Sequence, residues 1–316
     1  MLATFRFLYP TAKRTLLISA PLAFVIFAAQ LEGQTSPIWS EDKVLNYLPH
    51  MTRPEVEDLL TRTDMVIIPV ASLEQHGLHL PIGTDYISGV ERAKLIAQRT
   101  DALVAPILLP GQSPYHMEFA GTVTLPAELI QEVYVEATKS LIRHGFKRFL
   151  FLNAHGGNRA ITTFIVDRVN QETEGIAVDL GSAAGPYMER SGQPQSNVFD
   201  RHGGVSETSR LMYLAPNLVN LDAAETATLS MPDHLQAMVP LVLAGDPAAT
   251  TVFLAEGLKA TETGKGTSAA DMSSTGVWGE RDLQESNVEY GEVETMRFVE
   301  GAVRFMERWK ELRPMN

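Results

Sequence analysis

Met65-Val-Ile-Ile-Pro-Val70 is an apolar run with no polar residue alternating through it. A strand wetted on one face alternates apolar and polar side chains, so an unbroken run suits a strand covered on both faces, as in a parallel sheet enclosed by helices. Residues 102–109, 147–152 and 176–180 read as further strands. The segments between them carry helical spacing. Ile87, Val90, Ala93, Leu95 and Ile96 recur this way across residues 85–99. Leu129, Val133, Ala137 and Leu141 form one stripe from about Pro126, and Gly145 follows as a stop. Residues 158–172 continue the pattern. Thr52-Arg-Pro-Glu55 reads as a capped helix start, with Glu55 placed to reach back to Thr52. Strands alternating with helices build βαβ units. The expected fold class is α/β: a three-layer sandwich with a mainly parallel central sheet covered by helices on both faces.

A helix opens near Ser206 and ends before Pro216, and an amphipathic helix spans residues 292–312. Residues 222–285 are rich in Ala, Thr, Gly and Pro and show no clear period. No linker or repeat breaks the chain after its N-terminus, so residues 37–316 are expected to form a single domain. Residues 1–36 read differently. Arg6, Lys13 and Arg14 precede an apolar run from Leu16 to Ala29 and a polar exit, the layout of a secretory signal peptide. The run is short of the roughly 20 apolar residues of a membrane helix. The expected location is periplasmic or secreted, with no stable membrane span once the leader is cleaved; an uncleaved anchor is the alternative.

Acidic residues outnumber basic ones 38 to 26, giving a formal charge of -12. Nucleic-acid binders carry basic patches, so no nucleic-acid partner is expected. The chain has no cysteine, which excludes disulfides, thiolate metal sites and cysteine nucleophiles.

Three clusters of histidine and carboxylate stand where strands give way to loops or helices. Glu74-Gln-His76-Gly-Leu-His79-Leu-Pro-Ile-Gly-Thr-Asp85 follows the first strand, and Asn153-Ala-His155-Gly-Gly-Asn158 follows the strand at 147–152. Asp200-Arg-His202-Gly-Gly-Val-Ser-Glu207-Thr-Ser209 opens a helix, with Glu207 in its first turn. Ligands of open parallel sheets bind beyond the carboxyl ends of the strands. Glu, Asp and His donors suit zinc, manganese or iron, and a carboxylate can bridge two ions. A lone histidine at a strand end is most often structural, and a Glu inside a helix start is most often a cap; it is the convergence of three segments that favours a metal site. The sequence carries no Gly-x-Ser-x-Gly elbow, no P-loop, no His-Glu-x-x-His and no dinucleotide fingerprint after its first strand.

These segments resemble the creatininase (creatinine amidohydrolase) family. The resemblance runs through Ile68-Pro-Val-Ala-Ser-Leu-Glu74-Gln-His76 to Asp85, then His116-Met-Glu-Phe-Ala-Gly121-Thr and Asn153-Ala-His155-Gly-Gly-Asn158. It continues through His202-Gly-Gly-Val-Ser-Glu207-Thr-Ser209 and Gly276-Val-Trp-Gly279, covering residues 45–312. It implies an α/β fold, a homo-oligomer and a centre of two divalent ions, zinc before manganese or iron. By that likeness Glu74 and His155 hold one ion, His76 the other, and Asp85 bridges them. Creatininase has a Glu two residues after the histidine matching His155; here that place is Gly157, so Glu207 is expected to supply the last ligand and to share in catalysis. His202 matches the histidine that passes a proton to the leaving nitrogen. His79, His116, Gly156, Gly157 and Asn158 are expected to bind substrate.

The expected function is hydrolysis of a C–N bond in a small amide or cyclic amide, other than a peptide bond, by hydroxide formed at the metals. His-Gly-Gly-Asn members of the family act on formamides, peptides and oxidised cyclitols. A keto-sugar, cyclitol or lactone is therefore the alternative small-molecule substrate, and an exported non-catalytic ligand-binding protein is the rival of another class.

Overall fold

The computed structural model describes residues 42–189, 199–225, 229, 233–257, 269–279 and 281–315. The leader read over residues 1–36 lies outside the described residues. Among those described, no helix is long and apolar enough to cross a membrane.

The unit Val44–Asn316 begins with α1 (Arg53–Leu60), where Glu55 reaches back to the Thr52 N–H at 2.7 Å and closes the expected capping box. Next come β1 (Met65–Val70), α2 (Thr84–Thr100), β2 (Leu103–Val104), α3 (Ala127–His144), β3 (Arg148–Asn153), α4 (Arg159–Glu172) and β4 (Ile176–Asp179). A short α5 (Leu180–Ala184) follows, then β5 (Asp200–His202), α6 (Val205–Leu214), α7 (Val239–Leu243), α8 (Pro247–Gly257), α9 (Ala269–Met272), β6 (Trp278–Gly279) and α10 (Val288–Leu312). The main sheet has the order β2-β1-β3-β4 with every pairing parallel, and β5 and β6 form a separate antiparallel pair.

All six residues of β1 are buried, which is why its sequence does not alternate. Val66, Ile68 and Val70 join Phe149 and Phe151 of β3 in one core, closed by Ile130, Tyr134 and Val135 of α3 and by Ile161, Ile165 and Val169 of α4. Met65 and Ile67 point to the opposite face, as the period of two requires. There α2 lies on the sheet, and α10 packs against α2, α5 and α6. The expected α/β sandwich with helices on both faces is the fold observed.

Three local expectations are corrected. The strand read over residues 102–109 pairs only at Leu103 and Val104. Ala105 still donates to Ile67 O at 3.0 Å, but Pro106 has no N–H to continue the ladder and the chain leaves the sheet. The strand read to residue 180 stops at Asp179, whose carboxylate accepts from Ser182 N–H and caps α5. The last helix starts at Val288, four residues earlier than its apolar stripe suggested, because the Asn287 side chain caps it through Tyr290 N–H. The unreadable stretch 222–285 contributes short helices. Leu235, Val242, Phe253 and Met272 gather with Phe199 and Trp278 into a second core.

Gly291 fixes how α10 meets α6. A Cβ there would sit 1.9 Å from the Ser209 carbonyl oxygen, so the two helices touch backbone to backbone. Gly291→Ala is expected to push them apart and to lower unfolding free energy by about 1–3 kcal/mol, as other overpacked sites do. Urea unfolding measures this; an unchanged midpoint would show that the crossing is loose.

Candidate metal centre

β1 and β3 are neighbours in parallel, with Val70 opposite Asn153, so the chain emerging from each arrives at one edge of the sheet. The loop after β1 delivers Glu74 and His76 and is clamped by Glu74 N–H to Ile82 O at 3.0 Å. It turns at Gly77, whose φ of +76° is open to glycine at little cost. Asp85 then enters in the first turn of α2. His155 follows β3, with its N–H tied to the Asn153 side chain at 3.2 Å. His202 ends β5. Glu207 occupies the first turn of α6, and one of its oxygens accepts from Gly203 N–H at 2.8 Å.

The five side chains named as ligands converge. His155 Nδ1 lies 3.2 Å from Glu74 Oε1 and 3.1 Å from Asp85 Oδ2. His76 Nε2 lies 3.3 Å from Asp85 Oδ1 and 3.6 Å from Glu207 Oε2. Asp85 therefore turns one oxygen to each set. Donors about 2.0–2.2 Å from a shared ion stand roughly 3–3.6 Å from one another, which is the spacing seen in both sets. His76 Nε2 and Asp85 Oδ2 are buried and make no aligned hydrogen bond. Buried polar atoms are nearly always satisfied, so these two mark a missing partner of positive charge.

Backbone acceptors set which nitrogen of each imidazole carries the proton. His76 Nδ1 donates to Glu74 O at 3.0 Å, leaving Nε2 bare toward the carboxylates. His155 Nε2 donates to Gln112 O at 3.1 Å, leaving Nδ1 bare. His202 Nε2 donates to Gln75 O at 2.7 Å, and its Nδ1 faces Glu74 Oε1 at 3.5 Å.

The electrostatics agree. Burial works against charge throughout, yet Asp85 and Glu207 push His76 up to about 10, and Glu74 with Asp85 carries His155 well above its usual range. Burial likewise opposes the carboxylates, but the facing His155 holds Glu74 well below the ordinary value, and His76 and His155 lower Asp85. Without ions, protons on His76 and His155 balance the carboxylates. The histidines outside this exchange go the other way. Burial, then the neighbouring His202, drives His116 down to about 2. Burial, then His76, drives His79 to about 4, and His202 is lowered by burial and by His76.

The remaining expected residues divide. His116 stacks on His202 with ring centroids 4.3 Å apart, and Trp278 lies 5.9 Å from His116. His79 is set apart, with Nε2 on Thr208 Oγ1 at 2.8 Å and Nδ1 buried without a partner. Asn158 is fully buried and commits its amide to Gln112 N–H at 3.0 Å and Ala71 O at 2.8 Å. That makes it a brace for the loops. Gly156 has open space at its Cβ. Gly157 does not: a Cβ there would meet Gln112 O and Tyr115 Oη at 2.4 Å each and His155 Nε2 at 2.5 Å. The groups that hold His155 fill the place where creatininase carries its Glu.

Sequence reading missed the supporting groups. Ser72 Oγ and Ser113 Oγ are 2.7 Å apart and link Glu74 to His155, which Ser113 and Tyr115 approach at 3.3 and 3.4 Å. Only Gln75, standing between two expected ligands, was placed where the sequence could have flagged it.

A parallel α/β sheet with buried imidazoles and carboxylates gathered at its carboxyl edge defines a hydrolase-type metal site. The profile of the creatininase (creatinine amidohydrolase) family matches residues 49–306, and the chain belongs to that family of amidohydrolases. The "mycofactocin precursor peptide peptidase" of Mycolicibacterium smegmatis is 34% identical over 215 residues, 61% of this chain and 78% of that one. The creatinine amidohydrolase of Pseudomonas putida is 28% identical over 223 residues, 65% of this chain and 83% of that one. A solved manganese form of creatininase shares the fold with a TM-score of 0.60 at 21% identity, covering 87% of this chain and all of the other.

Restoring the creatininase residue tests the crowding at Gly157. Gly157→Glu is expected to displace Tyr115 and the Gln112 carbonyl, lowering stability by about 1–3 kcal/mol. Thermal unfolding would reveal it. A variant as stable as the parent, with unaltered metal uptake, would show that the space is available after all.

Proposed function

We propose that this protein is an exported hydrolase with two divalent ions, cleaving a C–N bond in a small amide or cyclic amide. The observation that carries the reading is Asp85, whose Oδ1 faces His76 and whose Oδ2 faces His155, with Glu207 beside His76 and Glu74 beside His155. Glu74, His155 and Asp85 would hold one ion, and His76, Glu207 and Asp85 the other. The donor set fits: carboxylate and imidazole without thiolate suit zinc or manganese, and two buried atoms of the set lack any other partner. Ions held there would polarise the scissile carbonyl and make hydroxide available near neutral pH. Both relatives described above are, by name, enzymes of C–N bonds. The basic and then apolar N-terminus supports export.

The chain's own groups supply the rest. His202 anchors Nε2 on the Gln75 carbonyl, so only Nδ1 is free to take and give a proton, and it faces the Glu74 carboxylate. A proton collected there can pass to the departing nitrogen. Trp278 and His116 pack beside the site, and Glu74, His76, Asp85 and His155 are themselves buried, which strengthens the charge interactions among them.

Metal content separates the roles of the carboxylates. By elemental mass spectrometry the mature protein is expected to carry about two equivalents of zinc or manganese. Asp85→Ala should lose nearly all of it, and Glu207→Ala should keep about one equivalent. A protein that binds no metal when supplied with it would overturn the hydrolase reading. Turnover of keto-sugars or lactones, with none of amides, would overturn the C–N assignment alone.

Metal uptake should also depend on pH in a fixed sense. In the metal-free protein His76 keeps its proton to about pH 10, and the incoming ion must displace it. Binding is therefore expected to release protons, and affinity to rise from about pH 6 to about pH 8. Calorimetry in two buffers of different ionisation enthalpy reads the proton count directly; an affinity that does not change with pH would contradict the proposed ligands.

A further inference from the structure

We propose that Gln75 is a positioning residue that locks His116 as the Nε2–H tautomer, making it a standing hydrogen-bond donor into the site and not a metal ligand. The inference rests on the reading of the site as a metal hydrolase centre only for the use made of that donor. Distance alone would allow the opposite role, since His116, Glu74 and His202 lie close enough to share an ion. The polarity of the hydrogen bonds decides.

Gln75 is buried, and its side-chain amide is oriented by two backbone groups whose polarity is fixed. Gly77 N–H donates to Oε1 at 2.9 Å, and Nε2 donates to Gly276 O at 3.0 Å. A flipped amide would set donor against donor and acceptor against acceptor. Gly276 makes room for this placement: its φ is +80°, and a Cβ there would stand 2.1 Å from Gln75 Oε1. The second hydrogen on Nε2 has two imidazole nitrogens within reach, His116 Nδ1 at 2.9 Å and His202 Nε2 at 3.1 Å. His202 Nε2 already donates to the Gln75 carbonyl at 2.7 Å and so carries a hydrogen of its own. The amide hydrogen must therefore go to His116 Nδ1.

A nitrogen that accepts has no proton, so in neutral His116 the proton sits on Nε2. That atom lies on the cluster side of the ring, 4.0 Å from Glu74 Oε1. An N–H pointed there cannot offer a lone pair to an ion. It can donate to a substrate oxygen, including one that gains negative charge as the carbonyl is attacked. One glutamine thus sorts two stacked imidazoles. His202 is left with a bare Nδ1 for proton transfer, and His116 with an N–H for donation.

The test is the tautomer itself, read by long-range proton–nitrogen NMR on zinc-supplemented protein with 15N-labelled histidine. His116→Gln, which keeps an N–H near the Nε2 position, assigns the His116 signals by their loss. In the parent, His116 is expected to show a pyrrole-type Nε2 and an unprotonated Nδ1. Gln75→Glu replaces the donor by an acceptor and should reverse the two. A parent His116 protonated at Nδ1, or a Gln75→Glu protein with the parent pattern, would overturn the proposal. The parent spectrum decides alone if the variant does not fold. The readout also separates two failures: metal content tests the ion site, whereas the tautomer can be read whether or not zinc binds. On any amide found to be turned over, His116→Leu should lower kcat by about 10²–10³ with KM little changed, and His116→Gln should recover part of it. A loss confined to KM would overturn the donor role.

Discussion

Charge buried without water is the constraint on which this structure turns. Glu74 and Asp85 are almost wholly enclosed, and Glu207 is partly so, beside the rings of His76, His155 and His202. An isolated carboxylate in such a place would give up its charge or unfold its surroundings. Here each carboxylate has an imidazole opposite it, and each imidazole is turned by a backbone carbonyl so that its bare nitrogen faces inward. The arrangement can be filled by protons or by metal ions. In either state Glu74 and Asp85 face positive charge, which allows such a cluster to be folded before it is loaded.

The parallel sheet is what assembles these groups from distant parts of the sequence. Adjacent parallel strands finish at one edge, so two loops that follow β1 and β3 meet without any special connection. The third loop comes from outside the sheet. It is carried by the β5–β6 pair and by α6, and the contact of α6 with α10 at Gly291 holds that helix close. Movement of the C-terminal helix therefore bears directly on Glu207, although α10 contributes none of the proposed ligands.

The parts of this design that the sequence displayed were local ones. A run such as Met65–Val70 states its burial in six residues, and Glu74, His76 and Asp85 lie within one short stretch of sequence. What stayed hidden depends on partners far along the chain. The end of β2 was set by Pro106, a backbone effect that outweighs the apolar character of the residues after it. The second core draws on Phe199, Leu235, Phe253 and Trp278, single residues from separate elements that share no period. The part played by Gln75 requires Gly276, 201 residues later. Asn158 is of the same kind: the backbone groups that its amide braces, Gln112 N–H and Ala71 O, lie 46 and 87 residues away.

Gly157 joins the two kinds of information. In sequence it is a gap in the creatininase ligand set, and nothing nearby says what compensates. In the structure the gap is occupied, because the Gln112 carbonyl and the Tyr115 hydroxyl press into the space a side chain would need. Those same two groups surround His155 Nε2 and fix the nitrogen that faces Glu74 and Asp85. A side chain at 157 would thus compete with the atoms that orient His155. A carboxylate on this loop would have to displace Tyr115 or the Gln112 carbonyl, whereas Glu207 already faces His76 from the first turn of α6. Packing around Tyr115 is therefore what keeps position 157 free of a side chain, and this would be expected to change only if residues 112, 115 and 157 changed together.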